Sequence, residues 1–487
     1  MKSGTAALRY AVRPRVVGYY LGQLFVALAA LTLVPLLVSL YYGDYGFTWR
    51  LALVVAVLAA VSAALLRLPA PTEIQTNEAL VLVALAFVTT SLLMSYPISA
   101  AGLGPLDAWF ESVSGVTTTG LSTVTTVASK AHTFLFLRAW MQWYGGLGIV
   151  VLSLALLAGH HMAARRLVQS AADEPLATTA RTHARRMLGV YVSLTVLGVV
   201  LLWLLGLGFF DAVAQVLAAV STGGFSSFDG SLAGIAGWPA RFAVMIVTCC
   251  GAVPLVLYYR AVRGGWREAL GDVELRGLAA AVVASGLLLS WILSAGMGMD
   301  RGQSIANGML LGMSAQTTAG FTSVPISGLH SAAKLVLIVA MTVGGGVGST
   351  AGGIKMLRLV VILRLVQFAV RRSAAPAHAV MQPRLGDKVL EQDDIVRVLL
   401  LLFLFMAVVV LSWLAFLAAG HAPLDALFEV VSATTTTGLS TGMAAPGLAA
   451  PLKLVLCLDM LLGRLEIVAL LVLFYPPTWF SKRSEAQ

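Results

Sequence analysis

The chain has 487 residues, 59% of them hydrophobic and only 11% charged, with a formal net charge of +10. A soluble domain carries roughly a quarter charged residues, so a soluble enzyme or binding module is excluded, whereas the apolar content is enough for ten spans of about 20 residues. Nor does the basic excess point to nucleic acid, because the Lys and Arg residues lie in loops between apolar stretches, the pattern of membrane topology.

In chain order the apolar stretches cover residues 19–41, 51–66, 80–97, 134–157, 188–210, 242–259, 278–297, 331–365, 396–419 and 452–475. Ten spans are expected. With the N-terminus on the cytoplasmic side, the inner segments hold most of the 32 basic residues, among them Lys2, Arg9, Arg13, Arg15 and Arg67, the arginines from Arg165 to Arg186 and from Arg260 to Arg276, the run from Lys355 to Arg397, and Lys482 with Arg483. This bias sets the orientation and leaves both termini cytoplasmic. The first stretch is full length and lacks a small-residue cleavage motif, so no removable signal peptide is expected. Cys249, Cys250 and Cys457 sit inside apolar runs without metal-ligand spacing, which gives neither a disulfide framework nor a zinc site.

Four outer loops contain a semi-apolar segment too short to cross a bilayer: LDAWFESVSGVTTTGLS (106–122), FDAVAQVLAAVSTGGFS (210–226), IANGMLLGMSAQTTAGFT (305–322) and LDALFEVVSATTTTGLS (424–440). Each ends in hydroxyl residues and a glycine, Gly120, Gly224, Gly320 or Gly438, and thirteen residues upstream stand Asp107, Asp211, Asn307 and Asp425. Asp and Asn are favoured helix caps, and ten residues of helix span about 15 Å, half a bilayer. The unit read from this is span, half-helix, re-entrant strand, span, repeated four times after two extra spans. The expected domains are residues 1–70 (two extra spans), 71–158, 159–265, 266–370 and 371–487 (repeats 1 to 4, the last with a preceding cytoplasmic linker).

Non-helical backbone at membrane depth is tolerated only where it is buried in protein or lines a watery cavity. Rings of carbonyl oxygens can replace the water shell of a cation, and glycine lets a strand adopt the conformations this needs. The candidate filter comprises Thr117, Thr118, Thr119 and Gly120; Ser221, Thr222, Gly223 and Gly224; Thr317, Thr318, Ala319 and Gly320; and Thr435, Thr436, Thr437 and Gly438. The half-helices aim their negative C-terminal ends at this place, which favours a cation.

With these tracts, GGGVGSTAGGIK (344–355), QWYGGLGIVVL (142–152) and LLGRLEI (461–467), the sequence resembles the Trk/Ktr/HKT superfamily of potassium transporters over nearly its whole length, and the two extra spans make it look most like the TrkH branch. The resemblance implies an all-α membrane protein with ten transmembrane helices and four pore loops in pseudo-fourfold arrangement, located in a bacterial inner (plasma) membrane. It further implies potassium uptake, a homodimer, and gating by a cytosolic nucleotide-binding ring subunit (TrkA-like). In this family a glycine at each filter position goes with potassium preference, and all four are present; Asn307 and Ala319 depart from the usual pattern.

Counting 26 residues on from the filter glycines gives Gly146, Cys250, Gly346 and Arg464, so one register position holds small residues three times and an arginine once. A charge at that depth is costly. Asp459 and Glu466, five and two residues away, do not share its helical face, which leaves a bridge to another span or a fixed positive charge beside the ion path; the second matches the family's arginine at this motif.

The eighth stretch would be about 52 Å long as continuous helix, against about 30 Å of hydrocarbon, and Gly344, Gly345, Gly346, Gly348, Gly352 and Gly353 stand in its middle before Lys355. It must break there. GxxxxGK[ST] is not matched, so this is no phosphate-binding loop; a mobile loop that occludes the pore is the expected role. Asp107, Glu111, Asp211, Asp425 and Glu429 could concentrate cations at the mouth, with capping the simpler role for the aspartates. His160 and His161 read as a solvated interfacial pair.

The function expected is potassium uptake, driven by the membrane potential, with potassium as substrate, no organic cofactor, lipid as surroundings, and no catalysis or nucleic acid. The alternatives are a sodium-permeable or cation-coupled symporter of the same fold, or an organic-solute transporter. The last is disfavoured because such folds often show inverted halves, while here four repeats run in one orientation. An intramembrane enzyme would need a convergent nucleophile or metal constellation, and the spans offer only Asp459, Arg464 and Glu466 as a charged cluster. The segments 159–187 and 371–394, with Arg371, Arg372, Arg384 and Lys388, are the expected docking surface for the regulatory subunit.

Overall fold

A computed structural model describes residues 11–71, 74–159, 176–376, 381–385 and 388–480. The described residues are mostly helical: α1 (Pro14–Tyr42), α2 (Tyr45–Leu65), α3 (Thr76–Ile98), α4 (Pro105–Val116), α5 (His132–Gly159), α6 (Leu176–Leu204), α7 (Phe209–Val220), α8 (Trp238–Ala252), α9 (Leu255–Gly264), α10 (Trp266–Leu270), α11 (Val273–Met297), α12 (Arg301–Gln316), α13 (Ser331–Val343), α14 (Met356–Ser373), α15 (Gln392–Ala418), α16 (Pro423–Thr434), α17 (Ala450–Arg464), α18 (Val468–Phe474) and α19 (Pro476–Phe480). One antiparallel pair, β1 (Arg384–Leu385) and β2 (Lys388–Val389), lies between α14 and α15, where Leu385 and Leu390 pack on Val361 of α14.

Among the described residues six helices are long and apolar enough to cross a membrane: α1, α2, α3, the Ala184–Leu204 part of α6, α11 and α15. Their outward side chains are apolar, with Leu37, Trp291, Phe403 and Leu411 exposed. Residues that would be sticky in water belong against lipid here, and the protein is an integral membrane protein.

Three of the expected spans are not single helices. The sixth is α8 followed by α9, bent by 87° at Val253 and Pro254, where proline supplies no amide for the helix. The eighth breaks across 344–355, as its glycines require. The tenth breaks between α17 and α18, where Glu466 and Ile467 have positive φ of 52° and 62°. The sixth and tenth spans break shortly past the register position, at Cys250 and Arg464, and the break in the eighth contains it at Gly346, whereas α5 runs through Gly146 unbroken.

Without a hydrophobic force between helices, close backbone approach at small residues holds spans together. α1 and α2 form a hairpin in which the Ser62 hydroxyl donates to the Gly22 carbonyl at 2.8 Å. α11 and α12 cross at Gly286, Gly308 and Gly312, and a Cβ at Gly312 would lie 2.6 Å from the Gly286 Cα. Gly312→Val is therefore expected to cost about 1–3 kcal/mol by overpacking. The lowered thermal midpoint of the solubilised protein measures it, and Gly46→Ala, where nothing lies within 4 Å of the added methyl, is expected to leave that midpoint unchanged.

Candidate functional site

Four short helices, α4, α7, α12 and α16, lead into the four hydroxyl tracts. Three have 12 residues, about 18 Å at 1.5 Å per residue, and α12 has 16. The aspartates expected to cap them do not. Pro105 and Pro423 occupy the first helical positions, where a missing amide costs nothing, so the helices start two residues before Asp107 and Asp425. These carboxylates instead pair with lysines of neighbouring repeats, Asp107 with Lys453 at 2.6 Å and Asp425 with Lys334 at 2.7 Å. Asp211 accepts from the Ser227 hydroxyl at 2.7 Å. The third helix is capped by Asp300, and Asn307 lies inside it, donating to the Gln303 carbonyl.

Each short helix ends the same way. Thr117, Ser221, Thr317 and Thr435 are the last right-handed residues, and Thr118, Thr222, Thr318 and Thr436 turn left-handed with φ between 52° and 55°. The amide of the following residue bonds back five residues, as Thr119 N–H to Ser114 O and Thr437 N–H to Ser432 O, and the other two tracts repeat it. This helix stop normally uses glycine. A β-branched residue there is strained by about 1–2 kcal/mol, and such strain persists only where the surroundings impose it.

The tracts close into a ring. A Cβ on Gly120 would fall on the carbonyl oxygen of Gly223, one on Gly224 on that of Ala319, one on Gly320 on that of Thr437, and one on Gly438 on that of Thr119. Repeat 1 thus abuts 2, 2 abuts 3, 3 abuts 4, and 4 abuts 1. All four glycines have φ between 78° and 94°, so conformation and the neighbouring oxygen both exclude a side chain. The hydroxyls of Thr117, Ser221, Thr317 and Thr435 donate to helix carbonyls four residues back at 2.7 to 2.8 Å, so their oxygens act as acceptors, those of Thr117 and Thr435 toward Thr119 and Thr437.

Residues 344–355 lie against the helical end of this ring. The Gly352 amide donates to the Thr318 hydroxyl at 2.6 Å and the Gly353 amide to the Thr435 carbonyl at 3.2 Å. Thr350 sends its hydroxyl to the carbonyls of Val220 and Gly251, both at 3.0 Å. On the far side Gly346 N–H meets Ala252 O, Leu255 N–H meets Gly348 O, and the Val347 amide donates to Glu274 of α11 at 3.3 Å. The loop underlies tracts 2, 3 and 4, while the buried hydroxyls of Thr118 and Thr436 have no hydrogen-bond partner among the described residues. Lys355, at φ 81°, is buried and donates to the Ala351 carbonyl.

Arg464 is 3% exposed. Its guanidinium donates to the Thr350 carbonyl at 2.8 Å and to the Gly145 carbonyl at 3.2 Å, tying repeat 4 to the loop and to repeat 1 with no carboxylate within ion-pair distance among the described residues. Of the three residues sharing its register, Gly346 packs on Pro254 and Gly146 faces Ser221 and the Tyr191 hydroxyl. Arg464 meets the loop at Thr350 because its long side chain reaches past its own register. Glu466 pairs with Arg358 of α14 at 2.6 Å, and Gly353, Arg358, Phe405, Gly463 and Glu466 help line a cavity of about 30 Å³ beside the loop.

Glu111 and Glu429 are not at the mouth. Both are fully buried and hold the segment beyond each filter glycine, Glu111 accepting from Ser122 and the Thr123 amide and pairing with Arg138, Glu429 accepting from Ser440 and from the Thr441 and Ala444 amides. Sequence reasoning also missed Arg138, Gln142 and Thr350. The signal for the first two was present, since polar side chains four apart inside an apolar span share one face. His160 and His161 lie outside the described residues.

A model of the TrkH family, described as cation transport proteins, matches residues 46–263 and 294–482. The chain belongs to this family. A TrkH potassium uptake protein of Halomonas elongata is 31% identical over 94% of this chain and 98% of its own length, and an uncharacterized cation transporter of Methanocaldococcus jannaschii is 30% identical over 94% of both chains. The crystal structure of the potassium transporter TrkH from Vibrio parahaemolyticus superposes with a TM-score of 0.85 at 25% identity, covering 96% of this chain and 99% of that one. TrkH proteins are cation transporters and not an enzyme family.

Removing one partner of a buried ion pair strands the other. Arg138→Met is expected to lower stability by about 3–5 kcal/mol, and Glu111→Leu added to it is expected to restore a large part. Thermal unfolding of the three purified variants measures both.

Proposed function

We propose that this TrkH-family chain takes up potassium across the plasma membrane through the ring of four tracts. The observation that carries the reading is the ring itself: four backbone segments at one level, each glycine against the carbonyl of the next repeat, a cage of oxygens suited to a dehydrated cation. Inward flux of a cation is driven by the membrane potential at about 2.3 kcal/mol per charge per 100 mV. The reading includes ten spans with four pore loops, cytoplasmic termini and a homodimer. Relatives named as Trk system potassium uptake proteins support it.

In this reading the gate is the segment 344–355 together with Arg464. The loop seals the path below three tracts, and the guanidinium adds a positive charge beside it while pinning the loop through Thr350. A cytosolic nucleotide-binding subunit, engaging the basic segment that carries Arg371, Arg372 and Arg384, pulls α14 and with it the loop. Leu385 and Leu390 of this segment pack on α14 at Val361 and pass the pull to it.

Cation flux into liposomes holding the purified chain, with potassium, sodium and choline compared, tests the whole reading; if none of the three enters, it fails. Gly120→Ser and Gly438→Ser are each expected to lower potassium over sodium discrimination by roughly tenfold, the effect of about 1.4 kcal/mol at one quarter of the ring. Unchanged discrimination in both would remove the tracts as the filter. Arg464→Ala is expected to raise basal flux several-fold without the partner subunit and to keep selectivity, measured per folded molecule in the same liposomes.

A further inference from the structure

The four tracts are not braced alike. In tracts 1 and 4 the strand holds itself: the Thr117 and Thr119 hydroxyls meet at 2.8 Å and those of Thr435 and Thr437 at 2.7 Å, while Ser114 and Ser432 accept from the filter-glycine amides, Gly120 and Gly438, at 3.0 Å. At the same offsets tract 2 has Ala218 for the serine and Gly223 for the second threonine, so it has neither hydroxyl; tract 3 keeps Ser314, whose hydroxyl has no partner among the described residues, and has Ala319 for the second threonine. It is also the tract with two consecutive glycines, whose backbone loses the most freedom on ordering.

Gln142 of α5 supplies what is missing, from repeat 1. Its amide is fully buried; Nε2 donates to the Gly223 carbonyl and Oε1 accepts from the Phe225 amide at 3.2 Å, so both of its polar atoms grip tract 2, one on each side of the filter glycine Gly224. The orientation of the amide follows from its partners, an acceptor on one side and a donor on the other. A side chain at position 223 would run into this amide. The absent side chain of tract 2 and the glutamine of repeat 1 are two halves of one fit.

One turn earlier on the same face, Arg138 reaches both tracts. It bonds Glu111 at 3.1 Å and Ser122 at 3.2 Å in repeat 1, and its guanidinium carbon lies 3.8 Å from the centre of the Phe225 ring in repeat 2. The corresponding positions of the other second spans are Phe242 and Ile246, Ile338 and Thr342, and Leu456 and Met460. The paired polar staple is therefore confined to repeat 1, and it faces the tract that lacks both bracing hydroxyls.

We propose that Gln142 is a specificity-determining positioning residue, which holds the carbonyl of Gly223 and the amide of Phe225 so that tract 2 matches its three counterparts around the cation. The inference rests on the filter reading and is tested so that the two can fail separately. Potassium and sodium flux are measured in liposomes for the full chain, for Gln142→Ala, for the triple variant Q142A/A218S/G223T, and for Gly120→Ser. Q142A is expected to lower the potassium to sodium ratio about tenfold, the usual size of a lost buried hydrogen bond with its partner left unsatisfied. The triple variant installs the hydroxyl brace of tracts 1 and 4 in the space the amide vacates, and is expected to recover most of that ratio. A wild-type ratio in Q142A with a lowered one in Gly120→Ser overturns the inference and leaves the filter reading standing; wild-type ratios in both overturn the two together. A lowered ratio that the triple variant does not recover means that Gln142 serves only packing, and also overturns it. Should Q142A not fold, Gln142→Met, which keeps the length and bulk of the side chain and removes both the donor toward Gly223 and the acceptor toward Phe225, is read in its place, and a wild-type ratio there is equally fatal.

Discussion

Every part of this site answers to one constraint, that a backbone which leaves helical geometry inside a membrane must have its amides and carbonyls satisfied by protein or by what it conducts. The four tracts and the loop at 344–355 are the non-helical segments gathered at one level, and they satisfy one another. The loop sends amides to Thr318 and Thr435 above and takes Leu255 from beside it. The bend at Pro254 and the break after Arg464 belong to the same accounting, since they free the carbonyls and make the room that the loop occupies.

The constraint explains the distribution of strain and of charge. Four threonines stand in a left-handed conformation at the foot of the tracts, held there by helix-stop hydrogen bonds above and by packing around. The buried charges behind the ring are each tied to backbone or to one another: Glu111 to Arg138, Glu429 to three residues beyond its glycine, Arg464 to two carbonyls. Arg464, held by carbonyls alone among the described residues, fastens the loop at Thr350 to repeat 1 at Gly145.

The ring is fourfold in outline and unequal in detail. Lysines of the second spans join repeat 4 to repeats 1 and 3 through Asp107 and Asp425, while repeats 1 and 2 are joined by Arg138 and Gln142 beside the glycines. The four tracts are similar in sequence, but a single chain is free to hold each of them differently, and tract 2, with Ala218 and Gly223 at the bracing positions, is held by Gln142.

Much of this was written in the sequence. The membrane-protein class, the four tracts, their glycines and the break in the eighth stretch follow from apolar run lengths, repeat spacing and glycine content, all of which act locally or through the membrane. The sequence alone did not assign the roles of Asp107, Glu111 and Glu429, because a carboxylate near a helix start reads as a cap or a mouth charge until its partner, hundreds of residues away in the case of Lys453, is in place. It did not reveal the left-handed threonines, since local preference runs against them and only the ring enforces them. Nor could it show that Gln142 completes another repeat's tract or that Arg464 reaches Thr350: those contacts join different repeats, and only the closed tertiary arrangement brings their atoms within bonding distance.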